Sequence, residues 1–440
     1  MQASVASSRL RRGGSSLLLL LASLGAIAVD GVCAEPEVPA DYQLRDFALP
    51  DPGGAHPIGT LRFEVKPPVG PTLHVVAWYP AASAAGPRAP YLDAEEQRVE
   101  LRSLARVMQW PMAMFDRVAA APTHAIAGAA AARGRFPLLI YSHGYFLYPR
   151  QNSALMERLA AHGYVVLSLA HPGDAADLPS SVGVLPTDMS DGGEGIDMKK
   201  IDAFLKGPDH AARIAALPGF WGTQHGTRIM LSLERWRADI LALADAVAAR
   251  RVPLEALPIV RATDMRRLAY GGMSFGGTTS ASACRIDRRC RAVVNIDGFE
   301  YDEKLYDARM RAPLLLVQAD WHLYPDMGDP STVFTPYDYA YERWEEAGAA
   351  KDVYRYRVPD VKHMGMTDLA LTARDPVRDG IFGPAPGAEA AAAVGDIVVA
   401  FLDRYVARRG ADIDAAAARH PQVERHRATH IAQWQRGMGR

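Results

Sequence analysis

Short apolar runs alternating with stretches of helical periodicity constrain this chain more than any other feature. Runs at 136–141, 164–169, 268–270, 292–296 and 313–319 have the length and uniform apolarity of strands buried on both faces. Helical patterns lie between and beyond them, at 154–162, 231–249 and 397–407. Such alternation predicts a mostly parallel central sheet covered by helices on both faces. Segments 58–65 and 73–79 read as the first strands, with the alternation and β-branched content of a sheet edge. With 440 residues and 49% hydrophobic content, the chain can bury one large core, so a single main domain with insertions is expected.

Several of these runs end in residues suited to chemistry. The run 268–270 leads into Gly272-Met273-Ser274-Phe275-Gly276, and a small-residue stretch suited to a helix start follows. A serine hydroxyl is a poor nucleophile unless it stands clear of the backbone, beside a base and near N–H donors for an oxyanion. Gly272 and Gly276 remove the Cβ atoms that would collide in so tight a strand-to-helix bend. The five-residue pattern alone is weak evidence; its surroundings make it informative.

The next run, 292–296, ends at Asp297, and the one after it, 313–319, ends at Asp320. A carboxylate at either strand end lies on the sheet edge where the serine emerges, so position alone leaves both open as the acid of a triad. After strand-like 353–358 comes His363, in a loop suited to a general base. Upstream, run 136–141 leads into Ser142-His143-Gly144-Tyr145, so the backbone N–H groups of Tyr145 and Phe275 are the expected oxyanion donors. His143 is read as ordering its loop by hydrogen bonding.

These landmarks, Tyr141-Ser142-His143-Gly144, Gly272 to Gly277, Asn295-Ile296-Asp297-Gly298 and His363 with Asp368 beyond, make the chain resemble the platelet-activating-factor acetylhydrolase branch of the α/β-hydrolases. The bacterial relatives are often described as predicted dienelactone hydrolases. The resemblance covers roughly 61–406 and implies an α/β-hydrolase fold, with inserted helical cap segments and no cofactor or metal. It also implies a Ser274, His363, Asp297 triad, since in that branch the acid follows the strand directly after the nucleophile helix. Met273 departs from the histidine common there. True dienelactone hydrolases use a cysteine, so lactone specificity is not carried over. The expected activity is hydrolysis of small, short-acyl carboxylic esters, phospholipid-like ones included. A serine peptidase or amidase, and a non-catalytic binding protein on the same scaffold, are the alternatives.

Lysine plus arginine (49) nearly balance aspartate plus glutamate (50), which argues against a nucleic-acid partner. Arg9, Arg11 and Arg12 precede an apolar stretch at 17–29 and small residues near Ala34, the layout of a secretory signal. The expectation is a signal at 1–34, a catalytic domain at 35–408 and a polar helical tail at 409–440. The mature protein would then be secreted or periplasmic and have no membrane span; an uncleaved anchor is the rival. With Cys33 removed, Cys284 and Cys290 remain and are expected to pair in an oxidising compartment. Insertions at 95–119 and 172–226 are candidates for pocket walls, the first as a helix pair on the core or a lid, the second as short helical pieces bordering the mouth with Phe220 and Trp221 toward the pocket. In the tail, His426 and His430 lack the ligands that zinc would need, and a solvated helix is expected there.

Overall fold

The computed structural model describes residues 47–108, 121–189, 210–302, 310–324, 352–372 and 376–425, with Trp110, Met112, Phe115, Val118 and Ala203 between them. The proposed signal, His426 and His430 lie outside the described residues.

Strands β1 (Ile58–Val65), β2 (Leu73–Pro80), β3 (Arg88–Pro90), β4 (Pro122–Ala127), β5 (Phe136–Ser142) and β6 (Val165–Ala170) open the chain. A small hairpin, β7 (Leu178–Ser180) with β8 (Gly183–Leu185), stands apart from them. Strands β9 (Thr263–Met273), β10 (Cys290–Ile296), β11 (Leu314–Gln318), β12 (Val353–Arg357) and β13 (Glu424–Arg425) complete an eleven-stranded sheet. Its order is β13-β12-β11-β10-β9-β5-β6-β2-β1-β4-β3. The six strands from β12 through β6 are mutually parallel, and β2 and β13 pair antiparallel to them.

Side chains alternate across this sheet because successive Cβ atoms point to opposite faces. Leu139, Tyr141, Val294, Ile296, Leu315 and Val317 join one buried cluster, with helices Ser153–Ala161 and Gly387–Leu402. Leu138, Ile140, Val293, Leu314 and Leu316 join the other, with helices Gln224–Ala248 and Phe275–Ile286. Both faces are therefore dry, which is why the runs read as continuous apolar segments. Helix Gly387–Leu402 lies in the one described stretch, Pro376–Ala407, apolar enough to cross a bilayer; Ile397, Val398, Phe401 and Leu402 are fully buried in the core, which accounts for its hydropathy.

Several expectations need correcting. The first strands are not the edge: β2 is buried along its whole length, and β4 and β3 continue the sheet beyond β1. The true edge, β3, ends in Pro90, a residue that cannot donate to a further ladder. The long helix begins at Gln224, capped by the Thr223 side chain, and the late one at Gly387, ten residues before its apolar stripe suggested. Within 95–119, helical backbone runs from Ala94 to Met108, started by a reciprocal Asp93 and Glu96 capping box. Phe115 and Val118 then bury in the core. The 172–226 insertion holds the β7–β8 hairpin as well as helix His210–Trp221, and Phe220 is buried against Tyr301 (ring centroids 6.2 Å). The described part of the tail, up to Arg425, packs on the domain: Ile413–Ala418 buries Ile413 and Ala416, and β13 pairs with β12.

Candidate active site

The chain reverses direction across the sheet at β5, placing β6 on one side of it and β9 on the other. Such a switch point leaves a crevice at the C-terminal strand ends, where ligands bind in open α/β sheets. The loops after β5, β9, β10 and β12 all emerge there.

Ser274 joins β9 to helix Phe275–Ile286 with φ 56° and ψ −127°, a conformation that side chains rarely adopt. It is tolerated because the surroundings leave no alternative. A Cβ on Gly272 would stand 2.6 Å from the Ser142 carbonyl oxygen, and one on Gly276 would collide with the carbonyls of Ser142 and His143. The Ser274 N–H continues the ladder to the Ile296 carbonyl (2.7 Å). Phe146, Asp297 and Asp360 also have positive φ, so four of the six such non-glycine residues among those described lie around this crevice. Strain of this kind persists where packing over-determines the backbone.

The structure brings Ser274, His363 and Asp297 together. His363 Nε2 lies 3.0 Å from Ser274 Oγ, and His363 Nδ1 lies 2.6 Å from Asp297 Oδ2. Asp297 Oδ1 accepts from the Ala319 N–H and from Trp321 Nε1, each at 2.9 Å. The carboxylate is thus 97% buried but has a donor on each oxygen. Asn295 holds the turn beneath it, accepting from the Gly298 N–H (2.8 Å) and donating to the Gly298 carbonyl (3.1 Å).

Asp320, the other acid candidate, points elsewhere. It accepts from Arg357 Nη1 (2.7 Å) and from the N–H groups of Asp360 (3.0 Å) and His322 (3.3 Å). Burial alone would raise its carboxyl; these hydrogen bonds and the Arg357 charge outweigh it and bring the group down to about 2. Because the bond to Asp360 clamps the turn before His363, Asp320 helps to place the imidazole without touching it. Asp368 is also away from the centre: buried, it accepts from the Ala154 N–H (3.2 Å) and the Tyr91 hydroxyl (3.2 Å) at the start of helix Ser153–Ala161.

The N–H groups of Tyr145 and Phe275 donate to no other described residue. Around Tyr145, by contrast, everything is tied. Gly144 N–H donates to Gln151 Oε1 (2.8 Å), Phe146 N–H to the Asp174 carbonyl (2.7 Å), and the Tyr145 hydroxyl meets Asp174 Oδ1 (3.1 Å) and Ser232 Oγ (3.1 Å). His143 is wholly buried. Its Nε2 accepts from the His171 N–H (3.1 Å), so its proton sits on Nδ1 and is donated to the Gly144 carbonyl (2.7 Å). Burial and the neighbouring His171 push His143 down to about 3, which keeps it neutral.

Sequence reasoning missed Gln151, Asn152, Asp174, Trp236 and Trp321. Asn152 joins two loops of the site, donating to the Met366 carbonyl (2.7 Å) while accepting from the Tyr141 hydroxyl (2.8 Å). No local motif marks such residues, whose partners lie far along the chain. Cys284 and Cys290 form a disulfide between the end of the helix after Ser274 and the start of β10. Among the described residues no cluster suited to a metal ion occurs.

Fold and crevice together define the α/β-hydrolase fold, and the chain has that fold. Residues 46–188 match the family model described as platelet-activating factor acetylhydrolase, isoform II. That span includes the loop after β5 and stops short of Ser274. Among solved structures, the chain is similar to a ferulic acid esterase from Streptomyces cinnamoneus, with 24% identity over 86% of this chain and 99% of that one, at a TM-score of 0.61. A comparison with curated proteins finds no match.

Proposed function

We propose that this chain is an exported serine hydrolase of carboxylic esters. Ser274 attacks the ester carbonyl while His363 Nε2 takes its proton, and the N–H groups of Tyr145 and Phe275 receive the oxyanion. His363 then gives that proton to the departing alcohol, leaving an acyl group on Ser274. Water, deprotonated by His363, adds to the acyl carbon; collapse releases the acid and returns the proton to Ser274. Asp297 keeps the imidazole proton on Nδ1 and balances the transient imidazolium. No cofactor enters the cycle.

One observation carries this reading: an unbroken hydrogen-bond chain from Oγ to the carboxylate at a half-buried serine, where the N–H groups of Tyr145 and Phe275 donate to no described residue. A disulfide between the two cysteines of the described chain supports export to an oxidising compartment. For the substrate, the family similarity supports short acyl groups. The esterase similarity, together with Phe275 and Tyr145 packed on Trp236 and Tyr301 packed on Phe275, supports aromatic acids. Purified protein assayed on p-nitrophenyl acetate, longer acyl homologues, a feruloyl ester and a matched amide separates these possibilities. Ser274→Ala should abolish turnover of every accepted ester while leaving the circular dichroism spectrum unchanged; an active variant refutes the mechanism.

A further inference from the structure

Behind the candidate site lies a second hydroxyl, imidazole and carboxylate in a row. Ser142 Oγ is 3.1 Å from His171 Nε2, and His171 Nδ1 is 2.9 Å from Asp239 Oδ2. Ser142 and His171 are inaccessible to solvent and Asp239 is 4% exposed, so no substrate can reach this row. Its three members come from the end of β5, the residue after β6, and the middle of helix Gln224–Ala248.

We infer that Ser142, His171 and Asp239 form a positioning array that holds the Tyr145 N–H where the oxyanion develops. The inference rests on the proposed ester-hydrolase reading. His171 is the hub. Its ring stacks on Trp236 (centroids 3.9 Å apart, planes 9° apart), and its N–H fixes His143. Trp236 Nε1 donates to Asp174 Oδ2 (2.7 Å), while Asp174 holds the Tyr145 hydroxyl and the Phe146 N–H. The residues on both sides of Tyr145, and its own side chain, are therefore referred to His171 and Trp236. Phe146, at φ 62°, needs such restraint to stay in the left-handed region. The 2.9 Å contact between His171 Nδ1 and Asp239 Oδ2 holds one proton, and burial, which pushes His171 down and Asp239 up, favours the neutral form of each. With that proton on either partner the row is complete, because the serine hydroxyl can donate or accept. The array therefore supplies geometry and needs no net proton transfer.

This distinguishes Asp239 sharply from Asp297. Asp239→Asn keeps a hydrogen-bonding partner for Nδ1 and should retain kcat for p-nitrophenyl acetate within about three-fold. Asp239→Leu and His171→Phe remove the partner and should lower kcat roughly ten- to a hundred-fold, a fraction of the loss seen when an oxyanion donor is deleted. KM should stay within about two-fold, since the donor acts chiefly on the transition state. A boronic acid analogue should bind more weakly by a similar factor to kcat. Ser142→Ala, the mildest change, should follow the same pattern at a smaller amplitude if the larger substitutions fail to fold. Full kcat in all soluble variants, or a loss equally deep in Asp239→Asn and Asp239→Leu, overturns the array. Turnover persisting in Ser274→Ala would instead remove the underlying reading, so the two failures are told apart.

Discussion

Replacing Asp297 by asparagine should stop catalysis through a proton in the wrong place, and the local geometry fixes the direction of that error. Asp297 Oδ1 accepts from the Ala319 N–H and from Trp321 Nε1, two groups that can only donate. An asparagine must turn its carbonyl oxygen toward them, leaving its NH2 group facing His363 Nδ1 across the former 2.6 Å contact. The amide then donates to Nδ1, and the imidazole proton moves to Nε2, the atom 3.0 Å from Ser274 Oγ. A nitrogen that carries a proton cannot accept one from serine. In triads of this design the wrong tautomer lowers kcat about ten-thousand-fold, equivalent to about 5 kcal/mol of barrier. Steady-state hydrolysis of p-nitrophenyl acetate measures the loss, and a near-ultraviolet circular dichroism spectrum shows whether the fold survives. A folded Asp297→Asn enzyme keeping more than about one-tenth of the parent kcat would refute the reasoning.

Asp320→Asn should behave differently, with kcat within about ten-fold of the parent and a stability loss of about 2 kcal/mol near neutral pH, read from urea unfolding. The folded carboxyl sits at about 2 against an ordinary 3.8, a depressed value, so its contribution is present above pH 4 and is lost as the pH falls toward 2. The stability gap between parent and variant should close across that window; a constant gap would show that the ion pair with Arg357 is not its source. Removing the disulfide with Cys284→Ser and Cys290→Ser opens a loop spanning a sequence separation of 6. A loop this short should cost about 2 kcal/mol by chain entropy, measured as a lower urea midpoint with an unchanged slope; an unchanged midpoint would show that the bridge adds nothing to stability.

Much of this architecture was legible because its signals are local. The runs around Ile140, Val294 and Leu316 are apolar on both faces, and only a sheet covered on both sides satisfies that pattern. The bend at Ser274 could be read from Gly272 and Gly276, since close approach of carbonyls forbids any Cβ there. The strands β3, β4 and β13 were not legible. β3 and β13 span only three and two residues, and β3 and β4 contain proline, so pairing with neighbours rather than intrinsic preference makes them strands. Helix Gly387–Leu402 begins in an alanine-rich stretch whose apolar stripe is too faint to mark its first turns.

The amino-acid sequence by itself determined which residues could do chemistry and the order in which they arrive, because strand periodicity and a glycine-bounded bend are properties of neighbours in the chain. Position alone left both Asp297 and Asp320 open, each at the end of a buried strand, and the resemblance favoured Asp297. Tertiary structure decided between them: Trp321 and Ala319 aim one carboxylate at His363, while Arg357 draws the other away. The same holds for the row from Ser142 through His171 to Asp239, whose members are up to 97 positions apart in the sequence. Hydrogen bonds act over about 3 Å, so which distant residues share one is known only once the sheet has folded.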